Sequence, residues 1–143
     1  MKVHTKKCSL QTEGFCDIRD VTHHVVEAVE ESGFERGLAT VMVPGATAGV
    51  TTIEYEEGVL EDLKKAVERM APEKIPYAHD RRWGDGNGFS HVRAALIGPS
   101  LAVPFGPEGL VLGTWQQIVL LDFDNRPRKR RFLVQVLGEG KRS

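Results

Sequence analysis

The sequence predicts an α+β fold, a single domain over residues 1–143 in which two main helices pack on an antiparallel β-sheet or sandwich. Three observations carry that prediction. Apolar residues recur at helical spacing in two segments, a pair of strand-like runs precedes each of them, and the C-terminal half is filled with short apolar runs punctuated by Gly and Pro. A chain of 143 residues buries roughly two thirds of its unfolded surface in one core and has no need of disulfides.

Residues 3–11 alternate weakly, and Glu13-Gly14 reads as a turn into a short extended piece at Phe15–Ile18, so an opening hairpin is expected. Asp17 or Asp20 can cap a helix that runs to Glu31 or Ser32, with Val21, Val25, Ala28 and Val29 on its inner face and Gly33 as its stop. His23 and His24 point about 100° apart on this helix and cannot jointly clasp one metal; one solvated and one half-buried ring are expected. Gly37–Val43 and Thr47–Tyr55 read as strands joined through Pro44-Gly45, as a hairpin or as a small anion-binding turn. Val59–Met70 is the clearest helix: Val59, Leu60, Leu63, Ala66, Val67 and Met70 form one stripe, Glu61 and Lys65 form an i,i+4 pair, and Pro72 closes it. Further strands are expected at Ser90–Ile97, Leu101–Phe105, Leu110–Leu112 continuing into Gln116–Phe123, and Arg131–Leu137, with local antiparallel pairing.

Composition excludes several functions. With 19 basic and 20 acidic residues and 7% aromatics, the chain has neither the global field nor the stacking surface of a nucleic-acid binder. The basic run Arg126–Arg131 follows Asp122 and Asp124 and sits on a turn into a strand, so no nucleic-acid partner is expected. Cys8 and Cys16 form no CxxC and read as buried or half-buried thiols of a reducing compartment. No apolar run reaches the ~20 residues of a membrane span, and a cytoplasmic protein without a membrane partner is expected.

Chemistry concentrates in Tyr77–Ser100, which reads as a loop leading into a strand. It holds His79, His91, Asp80, Asp85, Asn87, Arg81, Arg82 and Arg93, with Gly84, Gly86 and Gly88 spaced two apart for positive φ or a close approach. Such a loop can fold back and bring His79 and His91 to one place, where imidazole suits zinc and Glu54 or an aspartate supplies a third ligand. The bland alternative is a hydrogen-bonded structural histidine pair. Arg81, Arg82 and Arg93 offer forked donors for a small anion, Asp80 can orient His79 as a base, and on a strand Arg93 would share a face with His91. Ser90 beside His91 is not a triad, and GDGNG lacks the Lys-Ser/Thr of a phosphate loop.

Tyr77-Ala78-His79-Asp80, Asp85-Gly86-Asn87-Gly88 followed by His91, Leu96-Ile97-Gly98-Pro99-Ser100 and Leu112-Gly113-Thr114-Trp115-Gln116 together resemble the YjbQ-type family of small bacterial and archaeal proteins. The resemblance spans nearly the whole chain. It implies a YjbQ-like α+β domain that assembles as a homotrimer, with clefts between subunits lined by the histidine-bearing loop. It also implies an activity of secondary thiamine-phosphate synthase type, joining a pyrimidine diphosphate to a thiazole phosphate. Such a reaction calls for a divalent ion, Zn or Mg, on the departing diphosphate and cations for both phosphates, which Arg81, Arg82 and Arg93 partly supply.

The chain departs from the family at three positions. The family usually reads Gly-His-x-His where this chain has Gly88-Phe89-Ser90-His91, many members carry a histidine where Gly45 stands, and a close subgroup carries one where Gly84 stands. His79 and His91 remain as metal ligands or acid–base groups, with Glu54 as a third ligand or base, Asn87 as a loop-shaping or substrate-binding group and Arg93 as an anion clamp. Two readings follow: a transferase on small phosphorylated substrates, weakened by the missing imidazoles, or a non-catalytic trimer that holds a small anion or metal.

Overall fold

The computed structural model describes residues 1–142. Its strands form two antiparallel sheets. The first contains β1 (Lys2–Thr12), β8 (Arg128–Glu139), β3 (Arg36–Met42), β5 (Ser100–Gly106) and β6 (Gly109–Leu110), side by side in that order. The second contains β2 (Asp17–Asp20), β7 (Gln116–Asp122) and β4 (Ala48–Glu54). Four helices accompany them: α1 (Thr22–Ser32), α2 (Glu57–Met70), α3 (Ala78–Trp83) and α4 (Gly88–Ile97).

Side-chain alternation explains the layers. On β8, Phe132, Val134 and Val136 are buried while Lys129, Arg131 and Gln135 are exposed, the period-two signature of a sheet covered on one face. On β7, by contrast, Ile118 through Asp122 are all buried, because that strand is covered on both faces. Ile118 and Leu120 join a core with Val41, Val103, Phe105 and Phe132 of the first sheet and with Val25, Ala28 and Val29 of α1. Val119 and Leu121 face a second core with Ile18, Phe123, Val67 of α2 and Ala94 of α4.

The helices begin and end where local chemistry directs. Asp20 Oδ1 accepts from Thr22 N (2.9 Å) and Thr22 Oγ1 (2.7 Å) at the start of α1, and Gly33 closes it in the left-handed conformation (φ 71°). His23 is exposed and His24 half-buried, as the helical geometry predicted. At α2, the Glu56 carboxylate accepts from Gly58 N and Val59 N, and Glu61 pairs with Lys65 at 3.2 Å. Only Val67 of its stripe is fully buried, and Met70 is left exposed. Both cysteines are buried and free.

Several expectations are corrected. Ser90–Ile97 is not a strand but most of α4, which buries Phe89, Ser90, Arg93 and Ala94 at helical spacing. A short apolar run does not declare its period, and the helix-forming Ala94-Ala95-Leu96 decides it. β1 and β2 make no hairpin, since they pair with β8 and β7 in different sheets. β3 and β4 are likewise split between the sheets, and β6 does not continue into β7. Each of these links carries the chain from one sheet to the other, and turn residues mark a change of direction without saying which strand comes next.

Candidate functional site

Three sheet-switching links meet at one end of the molecule: the turn at 13–16, the link at 43–47 and the link at 123–127. Phe15 N donates to Asp124 O (2.8 Å) and Phe123 N to Thr47 O (2.9 Å), so their backbones are stitched together. The first turn is strained. Phe15 (φ 56°) and Cys16 (φ 84°) are left-handed without being glycine, and at Gly14 a Cβ would meet Asp124 O at 2.4 Å.

Beneath these links lies a buried ion cluster. Asp122 Oδ2 accepts from Arg130 Nε (2.7 Å) and Thr12 Oγ1 (2.5 Å), and Asp122 Oδ1 from Arg130 Nη2 (2.9 Å) and Asp124 N (3.0 Å). Arg130 also donates to Thr47 Oγ1. Asp124 Oδ2 accepts from Thr47 Oγ1 and Arg128 Nη1, both at 3.0 Å. Three of the basic residues in the 126–131 run are thus paired with Asp122 and Asp124, Arg128 and Arg130 closely and Arg126 loosely at 3.9 Å. Burial alone would raise the Asp124 pKa, but hydrogen bonds from Arg128 and Thr47, with a further pull from the Asn87 amide, hold it below the ordinary carboxylate value.

α3 and α4 lean over this end. Tyr77–Ser100 is therefore mostly helical, and its glycines act as expected: Gly84 (φ 68°) and Gly86 (φ 67°) turn between the helices, while a Cβ on Gly88 would lie 2.6 Å from Tyr77 Cβ. His79 on α3 and His91 on α4 come together, with ring centroids 4.5 Å apart. His91 Nδ1 lies 3.0 Å from Ala46 O; donation to that carbonyl leaves Nε2 as the imidazole's free lone pair. His79 Nδ1 is shielded from solvent, 3.3 Å from Asp85 Oδ1 and 3.6 Å from Asp80 Oδ1, yet hydrogen-bonds to neither. One ligand atom from each of His79, Asp80 and Asp85 lies within 4.8 Å of the others.

Beside the imidazoles opens a cleft of about 530 Å³ lined by Thr47, Asp85, Asn87, His91, Asp124 and Arg126 among others. Asn87 shapes it: its Oδ1 accepts from Ser90 Oγ (2.5 Å) and Asn125 N (3.2 Å), tying α4 to the 123–127 link.

Other expected site residues lie elsewhere. Arg93 does not share a face with His91, because two residues along a helix turn about 200°. It is 3% exposed, donating to Ala71 O (2.9 Å) and to Glu68 (2.5 Å), so its guanidinium fastens α4 to the end of α2 and is not an anion clamp. Glu54 stands at the far end of β4, about 20 Å from Ala48 by strand rise, and does not join the histidines within one chain. Arg81 and Arg82 are exposed on α3, Arg82 lying over the Trp83 ring at 5.6 Å. Phe89, where the resemblance implies a histidine, packs inward against Phe15 (6.2 Å) and Arg93 (4.9 Å) and does not line the cleft.

Asp122, Asp124, Arg128 and Arg130 build this end of the molecule as well, although none is a candidate on the sequence alone. Their signal was period two: alternate acids at the end of β7 and alternate arginines at the start of β8 put each set on one face.

A family model described as UPF0047 protein YjbQ-like matches residues 6–139. A UPF0047 protein of Archaeoglobus fulgidus is 39% identical over 129 residues, covering 90% of this chain and 98% of its own. UPF0047 protein YugU of Bacillus subtilis is 31% identical over 134 residues, covering 93% and 98%. A crystal structure of a YbjQ-like protein of unknown function from Sulfolobus solfataricus superposes with a TM-score of 0.90 at 29% identity, over 96% of this chain and 99% of that one.

Proposed function

We propose, since the chain belongs to the UPF0047 family of YjbQ-like proteins, that the cleft at the α3–α4 end binds a small phosphorylated substrate beside a divalent cation and serves a group transfer of thiamine-phosphate synthase type. The observation that carries this reading is the shielded, unpartnered His79 Nδ1 facing two carboxylates, with a second imidazole 4.5 Å away. A buried ring nitrogen without a partner is costly unless something is bound to it.

The donor set fits a cation better than the two histidines alone do. His79 Nδ1 with Asp80 and Asp85 mixes nitrogen and oxygen ligands, which suits Zn²⁺ or Mn²⁺ more than Mg²⁺. When bound, the ion would supply positive charge to a departing phosphate or diphosphate. The chain's own groups supply the rest. His91 Nε2 is free to take a proton, Asn87 holds the loop that carries His91, and the exposed guanidinium of Arg126 provides the phosphate contact expected of Arg93.

The exposed apolar side chains Trp115 (73%), Val111 (67%) and Leu96 (58%) support assembly as a homotrimer, which would cover them. Glu54 can reach the imidazoles only from a neighbouring subunit.

Metal analysis and calorimetric titration with Zn²⁺ test the reading, followed by turnover with a pyrimidine diphosphate and a thiazole phosphate. Metal binding lost in His79→Ala, with turnover lost in His91→Ala, is the expected result. Absence of metal binding together with absence of turnover in the wild-type protein would sink it. Metal or phosphate binding without turnover would leave the non-catalytic binding protein as the function.

A further inference from the structure

Among the described residues, Asp124 Oδ1 is the only carboxylate oxygen that is buried and lacks a hydrogen-bond partner. Asp124 is 2% exposed and lines the cleft, so the oxygen's shortfall lies at the wall of a space large enough for a small molecule. Its other oxygen is saturated by Thr47 and Arg128. Arg126 Nε comes to 3.9 Å of Oδ1, too far for a hydrogen bond, from a side chain that is 72% exposed. Asn87 lines the same cleft, and its side-chain amide draws on the Asp124 carboxylate without closing a hydrogen bond to Oδ1. An ionised carboxylate with one buried oxygen unpaired costs stability, and the strained turn at 14–16, donating Phe15 N to Asp124 O, holds the residue in that position.

The charge of the lining adds a second constraint. Asp85, Asp124, Arg126 and Arg128 all line the cleft, a wall of mixed sign in which Asp124 lies 3.0 Å from Arg128 and 3.9 Å from Arg126. A plain anion would meet repulsion from the two carboxylates, and a plain cation from the two guanidiniums.

We infer that Asp124 is a specificity-determining residue of the cleft: Oδ1 accepts a hydrogen bond from an ammonium, amino or hydroxyl donor on a ligand whose phosphate is held by Arg126. The ligand class is a small phosphate monoester that carries a donor two or three bonds from its phosphate, since Oδ1 and the Arg126 guanidinium are only 3.9 Å apart. The inference rests on the reading of the cleft as a phosphate site and goes beyond it by naming what the rest of the ligand must offer.

Two probes separate the ideas. O-phosphoethanolamine and ethyl phosphate differ chiefly in the terminal ammonium, and binding of each to the full chain is read by calorimetry and by ¹⁵N chemical shifts. O-phosphoethanolamine is expected to bind at least about tenfold more tightly, the effect of about one charge-assisted hydrogen bond. Asp124→Asn, which places an amide donor at the carboxylate, should abolish that preference, read as the ratio of the two affinities within the variant. Arg126→Gln should weaken both probes alike. Equal affinity of the wild-type protein for the two probes overturns the inference and leaves a water on Oδ1, with the phosphate site intact. Should neither probe bind, the phosphate reading fails and the inference with it. If Asp124→Asn does not fold, the wild-type comparison and Arg126→Gln still decide the matter.

Discussion

Two neighbouring regions of one end of the molecule handle polar burial in opposite ways. In the ion cluster between β7 and β8, Asp122 is fully buried and each of its oxygens accepts two hydrogen bonds, while Arg130, also buried, spends its guanidinium on Asp122 and Thr47. At the cleft above it, His79 Nδ1 beside the opening and Asp124 Oδ1 of a wall residue are just as shielded and have no partner. Burial is common to both regions, so burial does not distinguish scaffold from site. Saturation marks the contrast here: Asp122 has its acceptors used within the fold, whereas an oxygen and a nitrogen beside the cleft are left over to offer a ligand, a shortfall shared among the described residues only by His4 Nε2 and His24 Nδ1.

That contrast breaks most visibly at Arg130. Arg130→Ala should destabilise the protein by about 3–5 kcal/mol, because it strands the buried Asp122 carboxylate, and urea denaturation with an unchanged m-value reads this directly. A loss below about 1 kcal/mol would mean the cluster is not what joins the sheets.

Next in size is Phe89. Phe89→Ala should cost about 3 kcal/mol by opening a cavity between Phe15 and Arg93. Phe89→His, which restores the family's imidazole, should also destabilise and should leave Zn²⁺ affinity unchanged, since that side chain faces the core and not His91; a gain in affinity would place the residue in the site.

Smaller still is the expected effect on stability at the site. His91→Ala should shift the unfolding free energy by no more than about 1 kcal/mol, a partly exposed ring with one hydrogen bond to Ala46, while turnover is lost. A loss comparable to that of Arg130→Ala would assign His91 to the scaffold.

The gentlest probe is pH. Against the opposing effect of burial, hydrogen bonds from Arg128 and Thr47 hold the folded Asp124 pKa below the ordinary carboxylate value, so its contribution to stability is complete above that value and is lost as pH falls through the folded one. Acid unfolding of the wild-type chain should therefore carry a component below about pH 4 that Asp124→Asn lacks. Cys16 behaves with the opposite sign. Burial raises its thiol from 9.0 to about 11, so stability should fall as pH rises between those values, and a Cys16→Ser variant should lose that slope.

Much of the molecule is legible in the sequence alone. The helices at Thr22–Ser32 and Glu57–Met70 announced themselves by apolar period and by stops at Gly33 and Pro72, and the antiparallel strands by their β-branched runs. The approach of His79 to His91 was also foreseeable, because glycines between them permit the chain to fold back. Period failed at Ser90–Ile97, where eight residues fit strand and helix alike, and with it went the face assigned to Arg93.

By itself, then, the sequence determined which segments are helical or extended where an element is long enough to show its period, where they stop, and which stretch holds the reactive side chains. These are local properties, set by dihedral preference and by the burial of one face. Tertiary structure alone decided which sheet each strand enters, that Arg93 is held by Glu68 rather than by a ligand, and that Asp122 is saturated while Asp124, two residues on, keeps one oxygen free. Hydrogen-bond saturation depends on partners as distant in the chain as Thr12 is from Asp122, and no local pattern records whether such partners arrive.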